Sequence, residues 1–262
     1  MRALAFDRIP LIVSTMNTGS YETAELLHQY LLFHYGQPAE QLPWDFGPRQ
    51  ALSFPVRCVT EGVRAPASGR ALDIGCAVGR ATFELGRIFD EVIGIDYSAS
   101  FADAGKAIAD KGELTYFIKE TGTIVHEAVA RRPEEVTGAV RFEQGDAQAL
   151  REDLGSFDCV LAANLLCRLA RPVDFLDRLP RLLKPGGQLI ITTPNTWLES
   201  FTASEFWLGA TPETGQPLEA LKAKLEPAFV LDAVWDMPFL IREHQRKYQW
   251  SVAQASRWIR HS

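Results

Sequence analysis

The feature that most constrains this chain is a glycine-rich turn between a short apolar strand and a helix. The string ALDIGCAVGRATFEL ends its strand at Ile74, passes through residues 75–79 and then resumes a helical pattern. Gly75 and Gly79 allow the backbone to approach a ligand closely, and the first N–H groups of the helix remain free to bind it. Many α/β proteins use such a turn, so alone it indicates only a ligand site at a strand end.

Short apolar strands alternate with helices from residue 70 onward. Strings such as CVLAA and LIITT are continuously apolar, as expected for strands that are covered on both faces. This alternation predicts an α/β fold with a parallel sheet and crossover helices. Strands are predicted at 71–74, 92–95, 139–143, 157–162 and 188–193, with helices after the first, second and fourth of them.

Two helices are predicted before the sheet. The first spans 21–35, with Ser20 as its N-cap and Gly36 as its stop. The second spans 52–63, with Pro55 in its first turn.

The segments beyond the regular pattern are also informative. Residues 112–138 exceed a normal connection and alternate like a hairpin around Thr121 and Gly122, which is typical of an excursion or lid at a sheet edge. The tail 229–259 predicts two more strands joined at a polar turn around 244–246. We expect a single domain overall, divided into a helical segment, 1–69, that packs on a core, 70–262, with an insertion at 112–138.

The composition limits the classes of partner that this chain can bind. Of the 262 residues, 27 are Lys or Arg and 33 are Asp or Glu, and the net charge of −6 argues against binding to nucleic acid or to anionic membranes. The four cysteines form no CxxC pair and the histidines have no metal-ligand spacing, so we expect reduced thiols, no metal site and a cytoplasmic protein. The apolar run near the N-terminus is interrupted by Asp7 and Pro10, which makes it too short for a signal peptide or a membrane span.

Three carboxylates lie at the carboxyl ends of three strands, in chain order. Asp73 occupies the position where a dinucleotide fingerprint has its first glycine, and a carboxylate there would repel a pyrophosphate. Asp96 ends the next strand, where it can accept both ribose hydroxyl protons, and Asp146 ends the strand after that. An Asp after a strand is also a common helix N-cap, but the three together predict a pocket for a phosphate-free nucleoside with cationic groups. S-adenosylmethionine has that character.

The motif order LDIGCAVG, VIGIDYS, QGDAQAL, FDCVLAANLLCRL and LLKPGGQLIITTPN resembles that of class I S-adenosylmethionine-dependent methyltransferases across residues 70–195. The resemblance implies a Rossmann-like fold with a seven-stranded, mostly parallel sheet, helices on both faces and, here, an N-terminal helical extension. It also implies contacts with the methionyl part at Gly75, Cys76 and Gly79, with the ribose and adenine at Asp96, Tyr97, Asp146 and Ala147, and a further cofactor contact at Asn164.

A narrower resemblance runs from residue 21 to the tail. Five strings are similar to the C-terminal methyltransferase domain of ovothiol synthases, the 4-mercaptohistidine N-methyltransferases: YETAELLHQYLLFHYG, GCAVGRATFELGRIFDEVIGIDYS, LAANLLCRL, TWLESFT and MPFLIREHQRKYQ. It implies methyl transfer to an imidazole nitrogen of 5-thiohistidine or 5-selenohistidine, with S-adenosylhomocysteine as the other product. A separate sulfoxide synthase would supply the substrate, because the chain contains no such portion. One departure is Asn195, where that group has Tyr.

Candidate substrate residues come from outside the Rossmann-like motifs. Tyr21 and Asn195 are predicted to contact the reacting ring, with Tyr35 and Trp197 as further walls of the pocket. Arg242 is predicted to bind the carboxylate of an amino-acid substrate. A loop Trp is equally common as a core residue, and Arg242 also fits a solvated turn. Arg57 is an additional candidate for the carboxylate of the cofactor.

Three other functions remain open from the sequence. The chain could methylate another small molecule, or bind S-adenosylmethionine as a non-catalytic accessory protein. A nicotinamide-dependent oxidoreductase is the third, and Asp73 argues against it.

Overall fold

The structure is a computed structural model that describes residues 22–262. Seven of the strands in this range form one sheet, in the order β5-β2-β1-β6-β7-β9-β8, and β3 and β4 form a separate hairpin. The strands are β1 (Arg70–Ile74), β2 (Glu91–Asp96), β3 (Glu113–Thr121), β4 (Ile124–Arg131), β5 (Ala139–Gln144), β6 (Phe157–Ala163), β7 (Leu183–Thr193), β8 (Phe229–His244) and β9 (Lys247–Arg260).

The helices lie before the sheet and between its strands. Helices α4, α5 and α6 follow β1, β2 and β6, as predicted from the sequence. The helices are α1 (Ala24–Tyr35), α2 (Pro38–Gln41), α3 (Phe54–Thr60), α4 (Arg80–Leu85), α5 (Ala99–Lys111), α6 (Pro172–Leu182) and α7 (Pro217–Leu225).

The sheet is parallel from β5 to β7 and antiparallel at β9 and β8. Chain order reverses between β1 and β6, which creates the switch point where ligands bind in open α/β sheets. The predicted Rossmann-like, mostly parallel seven-stranded sheet is therefore confirmed.

Both faces of the sheet are buried by apolar side chains. Leu72, Ile93 and Val160 point into one layer, while their neighbours Ala71 and Val92 point into the other. Alternation with a period of two explains why these strands are continuously apolar in sequence. None of the helices in the described range is long and apolar enough to cross a membrane.

Helix α1 begins later than predicted. It starts at Ala24, because the Thr23 hydroxyl accepts the Leu26 N–H at 3.3 Å and so caps the first turn. The predicted cap, Ser20, lies outside the described residues. Gly36 ends the helix as predicted, and its N–H donates to the Leu32 carbonyl at 2.9 Å.

Helix α3 is also shorter than the predicted span of 52–63. Ser53 precedes it with a φ of +56°, a left-handed conformation that stops the helix from extending backward. Pro55 lies in the first turn, as predicted, where its missing N–H costs nothing.

The predicted hairpin within 112–138 is present as β3 and β4, with its turn between Thr121 and Ile124. One face of it is apolar, and Tyr116 and Ile118 are buried against Leu31 of α1 and Phe101 of α5. The hairpin thus packs against α1 and α5.

The tail forms β8 and β9 with their turn at residues 245–246, which confirms the predicted pair of strands. Only residues 254–259 of β9 pair with β7, so the hairpin projects beyond the sheet as a two-stranded arm. The start of β7 was wrongly predicted at residue 188. The strand begins at Leu183, which pairs with Phe157 before an irregularity shifts the register.

Candidate cofactor and substrate site

A cavity of about 1030 Å³ opens at the carboxyl ends of the parallel strands. The loops after β1, β2, β5, β6 and β7 form its floor, and side chains of α1 and β8 form its opposite wall. Of the predicted cofactor residues, it brings together Asp73, Gly75, Cys76, Asp96, Tyr97, Asp146, Ala147 and Asn164.

The glycine-rich turn is held by the end of β2. The backbone N–H groups of Gly75 and Cys76 donate to the Ile95 carbonyl at 2.8 and 3.1 Å. Gly75 has a φ of +73°, and a Cβ added there would lie 3.0 Å from Cδ1 of Leu165, so glycine suits both the conformation and the close approach of the next loop.

Gly79 has a different role from the one predicted. It does not line the cavity, although a contact with the methionyl part of the cofactor was expected. It has a φ of +87°, and a Cβ added there would lie 2.4 Å from Cε1 of Phe142. Gly79 therefore leaves room for the Phe142 ring at the start of α4.

Asp96 is fixed by two backbone donors. Its Oδ2 accepts the Ala77 N–H at 2.8 Å and its Oδ1 accepts the Ser98 N–H at 2.9 Å. Burial raises the pKa of Asp96 to about 6, against the lowering effect of those two hydrogen bonds. The group is thus charged at neutral pH, and each oxygen keeps capacity for a further donor such as a ribose hydroxyl.

The loop after β5 supplies the next part of the cavity. Asp146 Oδ1 accepts the Gln148 N–H at 2.8 Å and caps a short 3₁₀ turn, so the N-cap interpretation of this residue also holds. Ala147 is buried, whereas Tyr97 is 67% exposed at the rim. Gln148 lines the cavity too. Sequence reasoning missed it, although it directly follows the predicted Asp146 and Ala147.

Asp73 is buried more deeply than Asp96. Only 1% of it is exposed, and its Oδ2 accepts the Thr82 hydroxyl at 2.7 Å. Burial raises the pKa of Asp73 to about 7, and the charge of Asp96 adds to that shift while the Thr82 hydrogen bond opposes it. Asp73 thus gives the floor of the cavity a carboxyl group that titrates close to neutral pH.

Asn164 follows β6 with a φ of +53°, a conformation that Asn tolerates better than most residues. Its N–H donates to the Thr192 carbonyl at 2.8 Å, and its Oδ1 accepts the Thr192 hydroxyl at 3.0 Å. Both bonds to β7 fix the loop that faces the glycine-rich turn.

Two predicted ligand residues instead hold the scaffold together. Tyr35 is buried and donates its hydroxyl to the Val78 carbonyl at 2.8 Å, which ties α1 to the glycine-rich turn. Arg57 donates to Glu61 at 2.8 Å and to the Pro238 carbonyl at 2.9 Å. Neither side chain lines the cavity, so the predicted ligand contacts of Tyr35 and Arg57 are corrected.

Arg242 and Trp197 were also placed wrongly in the substrate pocket. Arg242 is 4% exposed, and its guanidinium donates to the Glu40 carbonyl and, at 3.0 Å, to the Glu120 carboxylate. It joins α2, β3 and β8 rather than facing the cavity. Trp197 is buried in the core and packs near Trp207, with ring centroids 6.4 Å apart, so the core interpretation of this residue holds.

The two residues predicted to contact the reacting ring have different outcomes. Asn195 has a φ of +52°, and its Oδ1 accepts the Thr193 hydroxyl at 3.2 Å. Its neighbours Pro194 and Thr196 line the cavity, but Asn195 does not. Tyr21 lies outside the described residues.

The structure adds residues that the sequence did not single out. Phe33, Phe54 and Phe239 form an aromatic wall, with centroids of Phe54 and Phe239 5.0 Å apart and of Phe33 and Phe54 6.0 Å apart. Arg168 brings a guanidinium to the cavity from the loop after β6. The string NLLCRL carried the signal for Arg168, since it immediately follows a strand.

Comparisons with known proteins agree with this geometry. Residues 72–191 match the family described as methyltransferase domain. The ubiquinone biosynthesis O-methyltransferase of Bradyrhizobium sp. (strain ORS 278) is 30% identical over 132 residues, which are 50% of this chain and 42% of that enzyme. The chain thus spans less than half the length of that relative.

Two solved structures share the fold. The N-methyltransferase NodS from Bradyrhizobium japonicum, in complex with S-adenosylhomocysteine, aligns with a TM-score of 0.50 and 15% identity over 90% of this chain and 99% of that one. The [4+2]-cyclase SpnF aligns with a TM-score of 0.56 and 16% identity over 90% and 93%.

The strand order and the cavity at its switch point define the class I S-adenosylmethionine-dependent methyltransferase fold. Residues 72–191, which match the methyltransferase-domain family, contain the strands β2, β5 and β6 and most of β1 and β7. The cavity fits the cofactor: Asp96 offers acceptors for ribose hydroxyls, Ala147 an apolar surface for adenine, and the Gly75 turn room for the methionyl chain. When bound, S-adenosylmethionine supplies an electrophilic methyl group on a sulfonium.

Proposed function

We propose that this chain methylates an imidazole ring nitrogen of 5-thiohistidine or 5-selenohistidine. The proposal rests on the position of the strings that resemble 4-mercaptohistidine N-methyltransferases. One of the five strings, residues 75–98, contains the cofactor loops after β1 and β2, and the other four supply the remaining wall of the same cavity. The wall residues are Tyr30, Phe33 and His34 of α1, Arg168 and Phe201 of two loops, and Phe239 and Ile241 of β8.

The chemistry requires little from acid or base groups. A neutral imidazole nitrogen attacks the methyl carbon in line, the N–C bond forms as the C–S bond breaks, and the ring proton then leaves to water. The thiolate or selenolate on the neighbouring ring carbon is the stronger nucleophile, so the protein has to hold it away from the methyl group. The aromatic wall of Phe33, Phe54 and Phe239 supplies rigid surfaces that suit this task.

Arg168 is the residue we assign to the carboxylate of the amino-acid substrate, in place of Arg242. Its Nη1 donates to the Cys167 carbonyl at 3.0 Å and to the Thr196 carbonyl at 3.1 Å, and its guanidinium lies 4.9 Å from the centroid of Phe201. These contacts fix the orientation of a planar cation in the cavity. Guanidinium suits carboxylate because several of its N–H donors lie in one plane.

The activity is tested by mass spectrometry of turnover mixtures that contain S-adenosylmethionine and one candidate acceptor. The acceptors are 5-thiohistidine, 5-selenohistidine, histidine and a demethylated quinol, the last because the sequence relatives are ubiquinone biosynthesis O-methyltransferases. We expect N-methylation of the thio- or selenohistidine and none of the quinol. Methylation of the quinol alone would replace the proposed substrate, and cofactor binding without any transfer would indicate an accessory protein.

The role of Arg168 has a matched control in Arg171. Arg171 contacts the Phe206 ring at 4.7 Å and pairs with Asp174, but it does not line the cavity. We expect Arg168→Met to raise the KM for 5-thiohistidine by about 10- to 100-fold, the value of a charged hydrogen bond, and Arg171→Met to leave it unchanged. A mercaptoimidazole that lacks the amino-acid part should react equally with both variants. An equal loss with that analogue would contradict carboxylate binding.

A further inference from the structure

His34 is a buried histidine in the cavity wall that the proposed reaction does not use. It lies in the last turn of α1 and is 8% exposed. Its Nδ1 accepts the backbone N–H of Arg80 at 3.4 Å, at the start of α4. The structure places this residue on the cavity.

The contacts of His34 fix both its tautomer and its orientation. Because Nδ1 accepts a hydrogen bond, the single proton of the neutral ring is on Nε2. Burial, together with the charge of Arg80, lowers the pKa of His34 to about 3, so the ring is neutral throughout the physiological range. The rings of Phe33 and Tyr30 lie beside it, with centroids 5.4 and 6.1 Å away. His34 is thus a rigid, uncharged hydrogen-bond donor.

The position of His34 indicates what it binds. Asp96, the expected ribose acceptor, is held by Ala77 in the middle of the glycine-rich turn. Arg80 immediately follows the end of that turn, and His34 is bonded to it. Asp96 and His34 are therefore both bonded to the segment 77–80, and both line the cavity.

We propose that the Nε2–H of His34 donates a hydrogen bond to the carboxylate of the cofactor's amino-acid portion. Arg80, whose backbone N–H bonds to His34, directs its Nε to the buried Glu84 carboxylate at 2.7 Å and does not line the cavity. A neutral donor adds to carboxylate binding without bringing a second positive charge close to the sulfonium.

The test compares two cofactor fragments by isothermal titration calorimetry. S-adenosylhomocysteine carries the carboxylate, whereas 5′-methylthioadenosine lacks the whole amino-acid end. We expect His34→Phe to weaken S-adenosylhomocysteine by about 10-fold or more, the value of a hydrogen bond to a charged group, and to leave 5′-methylthioadenosine unchanged. The matched control is His28→Phe, on the same helix. His28 packs against Phe117 and does not line the cavity, so neither ligand should lose affinity.

Each outcome decides the proposal. Equal weakening of both ligands by His34→Phe would mean that the residue only supports the cavity, and unchanged binding of both would mean that it does not reach the cofactor. Either result overturns the assignment. A second variant, His34→Gln, retains a side-chain N–H and should recover part of the lost affinity for S-adenosylhomocysteine only. These measurements contain no methyl acceptor, so their result is independent of the proposed histidine substrate.

Discussion

Phe142 of β5 contacts glycines from three different elements, and this arrangement leads to a quantitative prediction. A Cβ added at Gly79, Gly94 or Gly105 would lie 2.4, 2.8 or 2.8 Å from the nearest atom of the Phe142 ring. These distances are far below ordinary carbon contacts of about 3.5 to 4 Å. The ring therefore occupies the space that side chains at the three positions would fill.

The cost of each substitution can be separated into two parts. Gly112 has a φ of +82° and nothing within 4 Å of an added Cβ, so Gly112→Ala measures only the left-handed conformation, about 1–2 kcal/mol. Gly94 lies in β2 without such a φ, so Gly94→Ala measures only steric overlap, with Phe142 at 2.8 Å and with Thr82 Oγ1 at 2.9 Å, about 1–3 kcal/mol. Gly79→Ala combines both effects and should cost about 2–5 kcal/mol of the free energy of unfolding.

Urea unfolding followed by tryptophan fluorescence measures these differences, and calorimetry with S-adenosylhomocysteine measures their effect on the site. We expect Gly79→Ala to be the least stable of the three variants. We also expect it to weaken the ligand, because the displaced residue ends the turn that holds Asp96. The additional change Phe142→Ala should make Gly79→Ala less costly than it is in the parent. The reasoning is refuted if Gly79→Ala is no more destabilising than Gly112→Ala, since the ring would then yield without cost.

Three further predictions concern ionisable groups. Asp96 accepts hydrogen bonds as a carboxylate, and burial raises its pKa to about 6. The affinity for S-adenosylhomocysteine should therefore fall by up to about tenfold for each pH unit below 6. Calorimetry from pH 5 to 8 should show a weaker dependence of affinity on pH for Asp96→Asn. Burial raises the pKa of Asp73 from 3.8 to about 7, so the ionised carboxyl opposes folding increasingly as the pH rises from 3.8 to 7, by about 4 kcal/mol in total. In urea unfolding, Asp73→Asn should lose this part of the pH dependence of stability. Identical pH profiles for the parent and the variant would contradict the burial argument. Arg242→Met should lower the free energy of unfolding by about 2–3 kcal/mol, because it removes charge-assisted hydrogen bonds to the Glu40 carbonyl and the Glu120 carboxylate. A large loss of ligand affinity in a stably folded variant would instead mean that Arg242 contacts the ligand.

Local patterns predicted the nine strands and five of the seven helices in the described range, but not α2 or α7. The apolar runs, the glycine turn at Gly75 and the hairpin around Thr121 each reflect interactions between residues that are close in sequence. Element ends were less certain, because Thr23 and Ser53 decide the starts of α1 and α3 through individual hydrogen bonds and backbone angles. The early start of β7 depends on pairing with Phe157, which is distant in the chain.

More of the predicted cofactor residues than of the predicted substrate residues line the cavity. Asp96, Asp146 and Asn164 each lie at or just after the end of a parallel strand, and all carboxyl ends of such strands meet at one edge of the sheet. The substrate half has no such rule. Arg242 and Arg168 both appear in apolar strings with basic residues, and nothing local distinguishes the buried structural arginine from the one in the cavity.

Short-range periodicity and strand order in the sequence specify the parallel sheet, the glycine-rich turn and the carboxylates at the strand ends. Which side chains of α1 and β8 face the cavity depends on tertiary packing. Those elements approach the sheet from outside the regular pattern, and their orientation is set by packing and by single long-range bonds, such as that from Tyr35 to Val78. The same packing turned Arg242 and Trp197 away from the cavity and brought His34 and Arg168 into it.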